Sequence, residues 1–282
     1  PNVFNPYFLL SKILISQSRF EEAINNLQKT IDLKSDFVEA FFSLGETFIA
    51  LGKIKEAKAA YKEIIKIKPN SHFAYSNLSN LYKETGELKE AELLQTKAIN
   101  LKPNVPEMHN NMGSILKDLG KIAEAEFHLK KAIALKPNFS LAHSNLGILL
   151  EEIGQYKEAE LSYKRAIKIQ PDFAEGNFHL SLLNLKLGNY KDGLEGYEFR
   201  WKIKKPSYIY GNPIIERKDD AIFSDSENIL VIGEQSKGDI IFHMRYLLAL
   251  KAKNIRINFC APEILHNLIK SSGIHSKPIS PN

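Results

Sequence analysis

Apolar residues recur along the first two thirds of the chain at the three-and-four spacing of an amphipathic helix. Between residues 104 and 137, Met108, Met112, Ile115 and Leu119 share one face of a first helix. Ile122, Ala125, Leu129, Ala132 and Ile133 share one face of a second. This two-helix pattern is punctuated at a fixed interval. Pro69, Pro103, Pro137 and Pro171 stand 34 residues apart, and so do Gly52, Gly86, Gly120, Gly154 and Gly188. Ala23, Ala57, Ala91, Ala125 and Ala159 form a third series with the same period, which Gly193 continues as a small residue. Three independent series on one period mark an internal repeat.

Each series has a physical role. The proline cannot continue a helix and disfavours helix in the residue before it, so it closes a repeat. The mid-repeat glycine adopts the left-handed conformation that ends a first helix and opens a tight turn. The alanine lets the two helices of a pair approach closely. Six helix–turn–helix repeats result, near 4–35, 36–69, 70–103, 104–137, 138–171 and 172–206. The first lacks the closing proline (Ser35) and the turn glycine (Ser18), and the sixth runs on to Pro206. A single pair cannot bury its apolar stripes, whereas stacked pairs bury a continuous core.

This pattern resembles the tetratricopeptide repeat. Phe41, Leu44, Gly45, Phe48, Ala57, Tyr61 and Pro69 match its consensus in the second repeat, and Leu146, Gly147, Ala159, Tyr163, Ala166 and Pro171 in the fifth. Ser79 and Ser181 depart from it by replacing the glycine of the first helix. The resemblance implies a mainly α protein, a right-handed α-α superhelical solenoid over residues 1–206, whose first helices line a concave groove. It implies a protein-interaction scaffold that binds a protein or extended peptide.

One position of the first helices reads Leu9, Ser43, Asn77, Asn111, Asn145 and His179. Asparagine offers both a donor and an acceptor, so Asn77, Asn111 and Asn145 are suited to gripping a peptide backbone. Asn80, Asn110, Lys83 and Lys117 complete the expected peptide-binding set. The asparagines equally fit a consensus role, bonding locally to backbone. Lys83 and Lys117 are too few for the basic clamp of chaperone-binding repeats. His109 and His143, one period apart, read as packing residues, and no metal-ligand spacing occurs. A homodimer through exposed terminal helices is a further alternative.

Past Pro206 the periodicity stops. Residues 207–226 read as a connector. Residues 227–282 then follow a strand–helix–strand–helix grammar, with strands at Asn228–Ile232 and Ile255–Phe259 and helices at Ile240–Lys253 and Pro262–Ser271. This is a partial α/β Rossmann-type segment. Gly233-Glu234-Gln235-Ser236-Lys237-Gly238-Asp239 before the first of these helices, Arg245-Tyr246-Leu247 within it, and the run Gly193 to Trp201 resemble repeat proteins fused to a GT-B glycosyltransferase of the heptosyltransferase or O-GlcNAc-transferase kind. The resemblance implies that Asp239 is the candidate catalytic carboxylate near an acceptor hydroxyl. A helix N-cap is the alternative for Asp239. About 56 residues after residue 226 hold no second lobe, so this chain alone is expected not to be catalytic. A nucleotide sugar would be a cofactor only for a longer protein that completes the domain, and no other cofactor is expected.

Composition trims these readings further. The formal net charge of +5 is spread among alternating acids and bases, without the basic stripe that nucleic acid requires. No apolar run of about 18 residues points to a membrane span. The N-terminus lacks both Met and the pattern of a signal peptide, so the chain is expected to begin within a longer protein. The single cysteine, Cys260, reads as a small core residue and fits a reducing, cytoplasmic setting.

Overall fold

The computed structural model describes residues 3–197, 199–203, 228–232, 256–260, 263–273 and 277. The chain divides into two units, Pro1–Lys204 and Lys205–Asn282.

The first unit is a row of helical pairs: α1 (Asn5–Ser16) with α2 (Phe20–Leu33), α3 (Val38–Ala50) with α4 (Ile54–Ile67), and α5 (His72–Glu84) with α6 (Leu88–Leu101). It continues with α7 (Pro106–Asp118) and α8 (Ile122–Leu135), α9 (Ser140–Glu152) and α10 (Tyr156–Ile169), and α11 (Ala174–Lys186) and α12 (Tyr190–Tyr197). A single turn, α13 (Arg200–Ile203), follows.

The turn inside every pair is built alike. Gly52, Gly86, Gly120, Gly154 and Gly188 all have φ between +70° and +86°. The residue after each donates its N–H back across the turn, as Lys53 does to Phe48 O at 2.8 Å and Gln155 to Leu150 O at 2.9 Å. This satisfies carbonyls that the end of the first helix leaves open. The first pair closes identically through Ser18, at φ +58°, with Arg19 N–H on Leu14 O at 2.9 Å. A left-handed serine therefore does the work of the missing glycine.

The core runs along the stack. Ala23, Ala57, Ala91, Ala125 and Ala159 are fully buried, because any larger group there would separate the paired helices. A second series sets how the helices mesh. Gly45, Gly113 and Gly147 lie against Tyr61, Leu129 and Tyr163, and a Cβ on Gly147 would sit 2.6 Å from the Tyr163 ring. Ser79 occupies the same position in the third pair, where Gln95 replaces the large residue. Its hydroxyl donates to Ala91 O at 2.6 Å. Met112, Leu116, Leu129, Leu146, Leu149 and Tyr163 then join neighbouring pairs into one apolar cluster.

In the second unit, β1 (Asn228–Ile232) pairs parallel with β2 (Arg256–Cys260), Asn228 opposite Arg256 and Ile232 opposite Cys260. A 3-10 turn (Glu263–Leu265) leads into α14 (His266–Ser271), with Leu265 and Ile269 buried. The apolar run suggests a second strand over Ile255–Phe259, and the described residues place Arg256–Cys260 in it. The expected helix over 240–253 and the candidate Asp239 lie outside the described residues. Among the described residues, no helix is long and apolar enough to cross a membrane.

Candidate peptide-binding face

The first helices α5, α7, α9 and α11 lie side by side and present polar residues on one face. Asn77, Asn111 and Asn145 are all half-buried there, and Asn80 is exposed. Among the described residues, the side chains of Asn77 and Asn111 have no hydrogen-bond partner. Asn145 Nδ2 donates to Asn110 Oδ1 at 2.8 Å. Asn110 itself is only 2% exposed. It is thus a buried support for Asn145 rather than the open groove residue its polarity suggests.

The charges at the ends of these helices pair within and across repeats. Lys83 Nζ lies 3.2 Å from Asp118, and Lys117 Nζ lies 2.9 Å from Asp118 and 3.1 Å from Glu152. Glu151 reaches Lys186 at 3.5 Å and accepts from the Tyr163 hydroxyl at 3.1 Å. Burial opposes the charge on Lys117, but its bonds to Asp118 and Glu152 outweigh that, and its pKa lies above the ordinary lysine value. Burial likewise opposes ionisation of Asp118, and Lys117 and Lys83 overcome it, leaving its pKa below the ordinary value. The two lysines are therefore held in a network instead of standing free for a partner's carboxylate.

Tyr163 stacks on His179 with ring centroids 5.9 Å apart. Burial raises the pKa of this phenol and, with it, the charge of Glu151. Burial also holds His179 below the ordinary histidine value. The last member of the asparagine series is thus a neutral ring on an aromatic one.

His109 and His143 have structural roles. Nε2 of His109 lies 2.8 Å from the Pro103 carbonyl, and Nε2 of His143 lies 3.0 Å from that of Pro137. Asn177 Nδ2 donates to Pro171 O at 3.0 Å, so a third repeat makes the same bond with a different side chain. With Nε2–H donating, Nδ1 of His109 is the acceptor that faces His128 Nδ1 at 2.9 Å. Among the described residues, no three His, Cys, Asp or Glu side chains gather as metal ligands.

Known proteins share this architecture. Tetratricopeptide-repeat models match residues 12–52, 38–71, 74–105, 106–139 and 140–173. No curated protein matches the sequence. Among solved structures, PilW, a widely conserved type IV pilus biogenesis factor, superposes with a TM-score of 0.63 at 20% identity, over 74% of this chain and 96% of that one. Pseudomonas aeruginosa pilF gives a TM-score of 0.59 at 17% identity, over 72% and 93%. A chain of the APC/C hetero-tetramer Cut9-Hcn1 gives 0.64 at 17% identity, over 74% of this chain, which spans 41% of that longer one. These identities carry the fold alone. The repeat matches, running from residue 12 to residue 173 and covering more than half of the sequence, place the chain in the tetratricopeptide-repeat family.

Proposed function

We propose that the chain is an interaction scaffold whose first-helix face binds an extended peptide or protein segment through its backbone. The observation that carries this is the pair Asn77 and Asn111. Both amides are reachable, 34 residues apart at equivalent places, and have no partner among the described residues, while the charges around them pair with each other. A face with its charges internally matched selects for hydrogen bonding over charge. Asn145 contributes a carbonyl and one remaining N–H, steadied by Asn110. The test is affinity capture from a source lysate with the wild-type chain and with Asn77, Asn111 and Asn145 all changed to Ala. Loss of three neutral hydrogen bonds, at about 0.5–1.5 kcal/mol each, weakens capture at least about tenfold. Undiminished capture by a fully helical triple variant would rule the asparagines out.

A second reading concerns residues 227–282. The parallel pairing of β1 and β2 supports a strand–crossover–strand unit, since parallel strands need a long connection between them. On this reading the segment begins a glycosyltransferase lobe, with Asp239 at the acceptor site and the repeats as its targeting arm. Sugar transfer by the longest natural gene product, lost in Asp239→Asn, is the required result.

A further inference from the structure

The second helices carry a banded outer surface that the peptide-binding reading does not use. Leu93, Phe127 and Leu161 stand 34 residues apart and are 59%, 64% and 62% exposed. Ala59 begins the same row and is also exposed. Three residues earlier in each helix, and so about 4.5 Å nearer its N-terminus, lies an exposed acidic row: Glu56, Glu90, Glu124 and Glu158. Among the described residues none of these four makes an ion pair. Three and four residues later lie the exposed bases Lys62, Lys130 and Lys164, then Lys97, Lys131 and Arg165; Lys130 and Lys164 also pair with Glu126 and Glu160 of their own helices at 2.6 Å, and the other four make no ion pair among the described residues. Residues at these offsets share one helix face. Acid, apolar and basic rows therefore run side by side along four consecutive pairs.

Helix dipoles favour acids at N-terminal ends and bases at C-terminal ends. They give no reason for a large apolar residue between the two rows, facing outward, in three repeats running. The residues that bury each helix, such as Ala125, Leu129 and Ala132, lie on its other side. The row thus adds nothing to the solenoid core.

We propose that this face binds a second copy of the chain, in a two-fold dimer centred on Phe127. The pattern is its own complement. A two-fold axis running along the apolar row reverses helix direction across the contact, so apolar meets apolar and each acidic row meets the partner's basic row. A two-fold axis parallel to the helices sets acid on acid, which is repulsive. With acidic and basic rows alternating, the face offers no single-sign stripe for nucleic acid or anionic lipid, and a polar peptide leaves the apolar row uncovered.

Sedimentation equilibrium of the full chain at tens of micromolar tests this. The expected mass is twice the chain's 32.0 kDa. Phe127→Glu sets a carboxylate on its own copy at the axis and should weaken self-association at least about tenfold, with unchanged helical circular dichroism because the site is exposed. Two charge-reversed chains supply the specific arm. One carries Glu90, Glu124 and Glu158 as Lys, and the other carries Lys97, Lys131 and Arg165 as Glu. Each alone should be monomeric, and the mixture should form a heterodimer. A wild-type mass of 32.0 kDa, a Phe127→Glu chain that still dimerises, or folded reversed chains that fail to pair would each overturn the proposal.

Discussion

Gly147 and Gly154 lie seven residues apart in the fifth repeat, and replacing either by alanine should destabilise the chain for unrelated reasons. A Cβ on Gly147 would lie 2.6 and 2.7 Å from two Tyr163 ring carbons, about 1 Å inside ordinary carbon contact. The ring cannot simply move aside. It is fully buried, it stacks on His179, and its hydroxyl is tied to Glu151. Overpacking of this kind costs about 1–3 kcal/mol, against which helix preference returns about 1. Around Gly154 nothing lies within 4 Å of a Cβ, but φ is +78°. There the left-handed conformation costs about 1–2 kcal/mol, reduced by about 0.4–1 through the stiffer unfolded chain. Each single change should therefore cost up to about 2 kcal/mol.

The two causes separate in a Tyr163→Gln background, which copies the third repeat, where Ser79 carries a Cβ opposite Gln95. With the ring gone, Gly147→Ala should become neutral or stabilising by up to about 1 kcal/mol. Gly154→Ala should cost the same in both backgrounds, since distant sites add. Urea unfolding followed by far-UV circular dichroism, run as two double-mutant cycles on the full chain, measures this. A Gly147→Ala cost that persists without the ring would refute the close-approach account.

Two further outcomes follow from local geometry. Ser18→Gly should raise stability by about 0.5–1 kcal/mol, because Ser18 already holds φ +58° and glycine removes that strain at some entropic cost; a lower urea midpoint would contradict it. Burial and the neighbouring His109 push the His128 pKa down to about 4 from an ordinary 6.5. The unfolded chain therefore takes up this proton first, so stability is full above about pH 6.5 and falls as the pH drops toward 4. Discounted for the partial exposure of the ring, the loss is on the order of 1–2 kcal/mol. His128→Leu should flatten a urea-midpoint profile taken between pH 7 and pH 4.5, and an unchanged slope would place the effect elsewhere.

The repeat was legible in the sequence because its signals are local and redundant. Gly52 and its series mark turns, the prolines mark repeat ends, and the alanines mark the close approach of paired helices. Ser18 looked like a defect, because composition does not reveal that a serine will accept a left-handed turn when five equivalent turns impose the geometry. The site was legible only in part. The 34-residue period shows which positions are equivalent, but equivalent positions on the first-helix face are not the ones that touch. Asn110 bonds Asn145, Lys83 meets Asp118, Lys117 meets Glu152, and Glu151 meets Lys186. Each residue reaches the one just after its equivalent in the next repeat. That one-residue offset turned Asn110 from an expected groove residue into a buried support and bound the two lysines to acids. Opposite charges at that offset were visible in the sequence and could have been sought there. A second signal has the same form. Lys58 pairs with Glu87, and one repeat later Glu92 pairs with Lys121. The contact is preserved while both charges are reversed, so a search for one residue type at fixed intervals passes over it. A search for complementary types at the contact offset does not.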